Sequence, residues 1–396
     1  MITDQKPPAG MSTLSVHGGE TRPKPDFSMT PPVVFSSTFT FTTTKDRVDH
    51  AEGRVNRGEE YGRYGNPTQS AAESKLAVLE GGEAALLFST GMAAITTTLL
   101  AVLRRSAHVV FTSDCYRKTR QFATDVLPRL GFEHSIVEPD VSAVEQAIRS
   151  NTVALFTESP TNPYLNVVDL EAFADLGRKR GLTTIVDSTF ATPFNQRPLE
   201  MGIDLVIHSA TKYLGGHNDL LAGCVVGERG GVAAIKEFQG VVGPVPEPMS
   251  CYLLARGLKT LALRMERHNT NAQLIAEHLE RHSRIERVHY PGLPSHPRYD
   301  LARRQMRGCG GVISFEVKGN GPDTSRFIDA MRIPQIAPSL GGVESLIEQP
   351  ALMSFYHMAP EERRSIGIHD NLVRFAIGIE DADDLIADLD QALARL

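Results

Sequence analysis

The chain has 396 residues, 41% of them hydrophobic and 22% charged, with a formal net charge of -6 and acids and bases interspersed along it. That length admits two or three domains, one of them able to bury a large sheet on both faces, and the charge balance excludes the basic stripe of a nucleic-acid surface. The four cysteines, Cys115, Cys224, Cys251 and Cys309, lie too far apart for a CxxC pair or a zinc-ligand spacing, which excludes a metal ribbon and suits a reducing compartment.

The first ten residues, MITDQKPPAG, carry neither the basic nor the apolar region of a secretory signal, and no uninterrupted apolar run reaches membrane-spanning length. The expected setting is the cytoplasm, with neither nucleic acid nor membrane as a partner. Residues 1–60 contain Pro7, Pro8, Pro23, Pro25, Pro31 and Pro32 and a threonine-rich run at 38–44, with little helical periodicity. So irregular a segment is poorly suited to a core of its own and is expected to be an arm that folds against another subunit, which implies an oligomer.

In EYGRYGNPT, Tyr61 and Arg63 alternate on one face, and Gly65-Asn66-Pro67 turns the chain into a helix over 69–79. A guanidinium fork beside a tyrosine makes an anion clamp, although an exposed arginine beside a half-buried tyrosine has the same pattern. From Glu83 strand and helix alternate. A strand over 84–88 leads through Ser89-Thr90-Gly91-Met92 into a helix over 93–103, whose free N-terminal amides form a seat for phosphate. After a strand over 108–112, DCYRKTR sets Tyr116 at the head of the next helix, either face-on to a flat heteroaromatic ring or as a packing residue.

Strands over 136–137 and 153–157 follow, the second ending in ESPTNP, where two prolines stiffen a loop at the strand's C-terminal edge. A helix over 170–180 precedes a strand over 183–186 that stops at Asp187, with Ser188 and Thr189 next. A carboxylate at a buried strand end needs a cation, which a protonated pyridine nitrogen would supply; a capping or turn aspartate is the other account. In DLVIHSATKYLGGHN a buried strand over 205–207 runs into Ser209, Thr211 and Lys212. A lysine that loses hydration has a lowered pKa and can condense with an aldehyde, and two hydroxyls at two-residue spacing suit a phosphate. Together they point to pyridoxal 5'-phosphate (PLP), while a strand-end turn with a solvated lysine remains the alternative. With a further strand over 222–226, the alternation predicts a mostly parallel sheet covered on both faces.

Beyond Gly230 the pattern changes. Leu258, Leu261, Met265, His268, Ala272, Ile275 and Leu279 recur at three and four residues, which predicts one long amphipathic helix in which His268 is a packing residue. Strands over 312–317 and 373–377 and a helix over 381–396 form an α+β lobe. Arg374 lies inside an apolar strand, where a substrate carboxylate would compensate it, and Ser339 opens the glycine-bearing loop SLGGVES.

YGRYGNPT, STGMAA, DCYRKTR, ESPTNP, DSTFATP, HSATKYLGGHND, APSLGGVESL and NLVRFAIGIED resemble, in unbroken order over essentially the whole chain, the Cys/Met-metabolism family of PLP enzymes. The resemblance implies an α/β, type I PLP-dependent transferase fold: a mostly parallel sheet covered by helices, with a smaller C-terminal α+β domain. The implied division is an arm over 1–62, a PLP-binding domain over 63–255 and a C-terminal domain over 256–396. Within the family, DCYRKTR, IAPS and QPALMSF are most similar to the plant-type cystathionine γ-synthases; γ- and β-lyases and O-acylhomoserine sulfhydrylases are the neighbouring branches.

Residue by residue, the resemblance implies that Lys212 carries PLP, Asp187 faces the pyridine nitrogen with support from Thr189, and Tyr116 stacks on the ring. It gives the phosphate to the amides of Gly91 and Met92 and to Ser209 and Thr211, with Tyr61 and Arg63 reaching it from an adjacent subunit of a homotetramer built from dimers that share active sites. Asn162, Ser339 and Arg374 hold a substrate α-carboxylate, and Lys118, beside Arg117 and Arg120, meets an anionic leaving group or is a solvated helix residue. Pro338 stands where other branches carry a glutamate for a distal amino group. The expected activity is γ-replacement on an activated homoserine by a thiol, with γ- or β-elimination on a thioether as the second possibility and a non-catalytic PLP-binding regulator as the third.

Overall fold

The computed structural model describes residues 10–55, 58 and 60–396. Seven strands build the larger sheet: β1 (Ala84–Phe88), β2 (His108–Thr112), β3 (Glu133–Val137), β4 (Thr152–Glu158), β5 (Thr183–Asp187), β6 (Leu205–His208) and β7 (Gly223–Gly227). Their spatial order is β1-β7-β6-β5-β4-β2-β3, and only β7 runs against its neighbours. Side chains alternate between faces along a strand. Accordingly Phe111, Phe156, Ile185 and Ile207 pack with Ile95 and Leu99 on one side, and Val110, Leu155, Val186 and Val206 pack with Phe173 and Leu176 on the other. Both faces are covered, so these strands are apolar at nearly every position rather than at every second one.

Parallel register brings the C-terminal ends of the central strands to one edge. Glu158 pairs with Asp187, and Asp187 with Ile207, so β4, β5 and β6 end side by side. The crevice beyond such an edge is where open α/β sheets bind ligands.

The second sheet comprises β8 (Ile285–His289), β9 (Val312–Val317), β10 (Gln335–Ile336), β11 (Leu346–Glu348) and β12 (Leu372–Ala376), in the order β10-β11-β12-β9-β8. Its core of Ile313, Phe315, Val373 and Phe375 is continuous with that beneath helix Leu261–Arg281.

The helix expected to run unbroken from 258 to 279 is two helices, Pro248–Leu258 and Leu261–Arg281. Its apolar stripe is continuous because both pieces bury into one core, but the backbone breaks at Lys259-Thr260. Arg264 spans the break. It donates from Nε to Thr260 Oγ1 at 3.1 Å and from Nη2 to the Gly257 carbonyl at 2.8 Å, and it reaches across to the Tyr213 carbonyl with Nη1 at 2.6 Å. His268 is fully buried, 2.8 Å from the Ile377 carbonyl through Nδ1 and edge-on to Tyr213; burial pushes its pKa down to about 4. A carbonyl only accepts, so Nδ1 bears the proton, as expected of a packing histidine.

The N-terminal segment is less irregular than its prolines suggest. Helices form over Met11–His17 and Thr44–Ala51, the second started by a capping box between Thr43 and Asp46. The first packs on this chain rather than standing away from it, with Met11 and Leu14 against the main core. It is pinned by Lys75, 2% exposed, whose Nζ donates to the carbonyls of Ser15 and Val16 at 3.0 Å each and lies 3.7 Å from Glu20. Replacing Lys75 with Met should strip both carbonyls of their donor, lower stability by about 2–3 kcal/mol and speed amide exchange over residues 10–24, as hydrogen-exchange mass spectrometry would read it.

Candidate active site

The strand ends supply the site's floor. The carboxylate of Asp187 is buried. Its Oδ1 accepts from the Thr189 amide at 3.1 Å and from Thr189 Oγ1 at 2.5 Å, and Thr189 Oγ1 in turn accepts from the Ser209 amide at 2.9 Å. Burial pushes the Asp187 pKa up against the two Thr189 bonds that hold it down. Beside it on β4, Glu158 is pushed well above the usual carboxylate range, first by burial and then by Asp187. Two adjacent buried carboxyls with raised pKa values form a place for a cation.

Glu158 was not singled out from the sequence. Its Oε2 accepts from the Tyr116 amide at 2.7 Å and so sets the start of helix Arg117–Gln121. Tyr116 is 41% exposed there, a ring held by its backbone with its phenol side free to face a ligand.

Helix Gly91–Val102 points its N-terminus at the same edge. Thr90 caps it, accepting from the Ala93 amide at 3.0 Å, which leaves the Gly91 and Met92 amides without intrahelical acceptors. Gly91 is required here: a Cβ would sit 2.8 Å from both Cβ and Oγ of Ser209. The helix terminus, the Ser209 hydroxyl and two free amides therefore share one small volume suited to a phosphate group. Thr211 lies on the turn just before Lys212. Its hydroxyl donates to the Ala222 carbonyl at 3.1 Å and accepts from the Ala222 amide at 3.0 Å, holding the turn that presents Lys212.

Lys212 Nζ donates to Ser339 Oγ at 2.5 Å, and its pKa is pushed down to about 8 by burial and then by Arg374, with Glu348 opposing. Ser339 has φ of 125°, a conformation costly for any residue with a side chain. The guanidinium of Arg374, 5% exposed, donates from Nη2 to the Ser339 carbonyl at 3.0 Å and from Nη1 to Asn162 Oδ1 at 3.3 Å, and forms an ion pair with Glu348 at 3.1 Å. Its Nε has no hydrogen-bond partner among the described residues. Ser314, opposite Arg374 on β9, donates to the Pro163 carbonyl at 2.6 Å and so brings the Asn162 loop alongside.

Lys118, Tyr61 and Arg63 make contacts outside this cluster within the single chain, as an exposed helix residue and a pair directed at a second copy would. Lys118 is exposed and donates to Gln121 Oε1 at 2.8 Å. Arg63 donates to the Gly240 carbonyl and lies over the rings of Tyr61 and Tyr64, 5.5 and 4.9 Å from their centroids; neither it nor Tyr61 hydrogen-bonds to Lys212, Asp187 or Ser209.

A lysine with a lowered pKa, a carboxylate lacking a cation, a ring at a helix head, a glycine-tight helix terminus and a buried arginine with a spare N–H fit a phosphorylated pyridine aldehyde and an amino acid side by side. Comparison with known proteins agrees. The model of the family described as Cys/Met metabolism PLP-dependent enzyme matches residues 12–394, and the chain belongs to that family. The chain is similar to cystathionine gamma-synthase 1, chloroplastic, of Arabidopsis thaliana, with 48% identity over 97% of this chain and 69% of that protein. It is also similar to L-methionine gamma-lyase of Pseudomonas putida, with 43% identity over 97% of each. Among solved structures, that of metB from Corynebacterium glutamicum superposes with a TM-score of 0.91, at 39% identity and covering 98% of both chains. The cofactor is therefore PLP, and the protein is an enzyme that depends on it.

Two outcomes check this geometry. The rate at which cofactor-free protein captures PLP should rise with pH to half its maximum near pH 8, where the neutral amine of Lys212 predominates, rather than near 10.5 as for a solvated lysine. Gly91→Ala should weaken PLP binding at least about tenfold, measured by equilibrium dialysis, with unchanged circular dichroism, because the new methyl group separates the helix terminus from Ser209.

Proposed function

We propose that the protein catalyses γ-replacement on an activated homoserine, with a thiol such as cysteine as the incoming nucleophile. The observation that carries this reading is Arg374: a buried guanidinium with an unpartnered Nε, one hydrogen-bonded residue away from Lys212, suits the α-carboxylate of an amino acid whose amine meets the lysine.

In this reading Lys212 would hold PLP covalently, Asp187 with Thr189 would face its ring nitrogen, Tyr116 would cover its ring, Asn162 would lie beside its phenolic oxygen, and Gly91, Met92 and Ser209 would take its phosphate, with the Thr211 hydroxyl joining them once it exchanges its Ala222 carbonyl partner. The bound cofactor supplies an electron sink for the carbanion formed next to the amino group. Lys212 Nζ would take the substrate Cα proton and return protons at later steps, while Ser339 would keep the lysine amine oriented. Arg374 and Asn162 would fix the substrate α-carboxylate and with it the direction of the Cα–H bond, an effect of orientation. Lys118, with Arg117 beside it, attracts an anionic leaving group to the mouth of the site.

Pro338 adjoins Ser339 and brings no charge or side-chain acceptor to hold a distal amine, which favours a small activated homoserine over cystathionine as the substrate. A second reading, γ- or β-elimination from methionine or another thioether, rests on the similarity to L-methionine gamma-lyase.

The same reading extends to the assembly. Residues 1–62 act as an arm, 63–255 as the cofactor domain and 256–396 as the C-terminal domain. Tyr61 and Arg63 serve the phosphate site of a second copy, and Phe27, Met29 and Phe35, all largely exposed in one chain, are covered there in a tetramer built from two dimers. Four free cysteines suit the cytoplasm, although the plant relatives are named chloroplastic; among the described residues no helix is long and apolar enough to cross a membrane.

Incubation with phospho-, acetyl- and succinyl-homoserine, with and without cysteine, tests the chemistry. The expected outcome is cystathionine when cysteine is present and 2-oxobutyrate only in its absence; release of a thiol from methionine at a comparable kcat/KM would establish the second reading instead. Lys212→Ala should lower turnover by at least about a thousandfold, since both covalent attachment and proton transfer are lost.

A further inference from the structure

Glu348 has no part in the site as read from the sequence, yet it lies directly across from Arg374 in the antiparallel register of β11 and β12. It is 1% exposed, and its Oε1 is 3.1 Å from Arg374 Nη2. Ser354 Oγ lies 3.1 and 3.4 Å from the two carboxylate oxygens and holds them from the far side. The Nη2 that meets Glu348 also donates to the Ser339 carbonyl at 3.0 Å, while Nη1 is turned to Asn162 at 3.3 Å. Three partners thus grip one end of the guanidinium, and Nε is left over. A buried guanidinium on a flexible stem would otherwise sample several orientations, and a single fixed one is what selective capture of a carboxylate needs.

We propose that Glu348 is a positioning residue and resident counter-ion for Arg374, fixing the guanidinium so that Nε remains for a substrate α-carboxylate and tempering how tightly that carboxylate is held. The proposal rests on the reading that Arg374 takes the carboxylate. Two opposed effects follow from one side chain. As a hydrogen-bond acceptor Glu348 favours binding by orientation; as an anion beside the same cation it opposes the arrival of a second anion, which keeps affinity moderate and leaves product free to depart. Its charge also reaches Lys212. Arg374 lowers the proton affinity of that amine and Glu348 opposes it, and a substrate carboxylate arriving at Arg374 would act in the same direction as Glu348.

A neutral isostere separates the two effects. Glu348→Gln keeps an acceptor for Nη2 and an oxygen for Ser354 but removes the charge; Glu348→Ala removes both. The measurements are made on the PLP-loaded protein: titration with L-alanine, an amino acid with no γ-substituent to expel, followed by absorbance, and the pH titration of the cofactor's absorption band. Glu348→Gln should bind L-alanine about three- to tenfold more tightly and move the spectral midpoint to lower pH by about half a unit or more. Glu348→Ala should bind it at least about tenfold more weakly, with KM for the activated homoserine rising more than kcat falls.

Weaker binding in both variants, or wild-type affinity and midpoint in both, would overturn the proposal. If Glu348→Ala does not fold, the sign of the change in Glu348→Gln decides alone. Arg374→Ala separates this failure from a deeper one. If that variant loses L-alanine binding while the Glu348 variants match wild type, only the role of Glu348 fails; if Arg374→Ala binds L-alanine as wild type does, the carboxylate reading of Arg374 fails with it.

Discussion

One short hydrogen bond joins the lobes of the two sheets at the candidate site: Lys212 Nζ, on the turn after β6, to Ser339 Oγ, on the loop before β11. Around it the lobes touch through backbone. A Cβ at Gly341 would come 2.5 Å from the Tyr213 amide, and Tyr213 itself accepts at its hydroxyl from the Gly311 amide at 3.0 Å and at its carbonyl from Arg264. The lysine turn is thus clamped between the second sheet and the helix break at Lys259-Thr260. Gly341, with φ of 80°, can adopt this close approach where a side-chain-bearing residue would push the lobes apart.

The electrostatics follow from that closure. Docking the smaller lobe takes Lys212, Arg374, Asp187, Glu158 and Glu348 out of water together, and each is expensive alone. The ion pair of Arg374 and Glu348 and the paired donors of Thr189 offset part of this, while the raised pKa values of Asp187 and Glu158 and the lowered one of Lys212 mark what is left uncompensated. In the proposed reading a cationic ring nitrogen against Asp187, an aldehyde on Lys212 and a carboxylate on Arg374 would relieve those imbalances one by one, and stability given up in the unloaded protein would return as binding energy for the cofactor and substrate. The unfavourable backbone of Ser339 belongs to the same account: a residue held at φ of 125° between a lysine and an arginine persists because both sides constrain it.

Much of the larger sheet could be read from residue patterns, since strands such as TVALF, TTIV and LVIH are β-branched runs bounded by turn residues, and each lies within a residue or two of its expected place. The helix break at 259–260 could not, because the apolar stripe runs through it unchanged and the side chain that spans it, Arg264, reaches to the Tyr213 carbonyl 51 positions away. The short edge strands Gln335–Ile336 and Leu346–Glu348 left no periodic trace either; two or three residues are too few to show alternation. Helix Met11–His17 escaped notice among the prolines because it is held chiefly from outside, by Lys75.

For the site, local chemistry marked each residue that ends a strand or opens a helix: Asp187, Gly91, Tyr116 and Lys212 all stand where a periodic apolar run stops, and burial with a polar side chain at such a stop is a signal carried by neighbours in the chain. Glu348 and Glu158 carried no such signal. Each is one acid at the end of a short apolar run, indistinguishable from a solvated one until strand register sets Glu348 opposite Arg374 and Glu158 beside Asp187. The order of amino acids was enough for the strands, which depend on composition within a few residues, and for the class of cofactor through motifs that resemble one family along the whole chain. Which charge faces which, how far water is excluded, and so the pKa of Lys212 and the orientation of Arg374, arise from groups tens to hundreds of positions apart, and depend on a closure that no local pattern encodes.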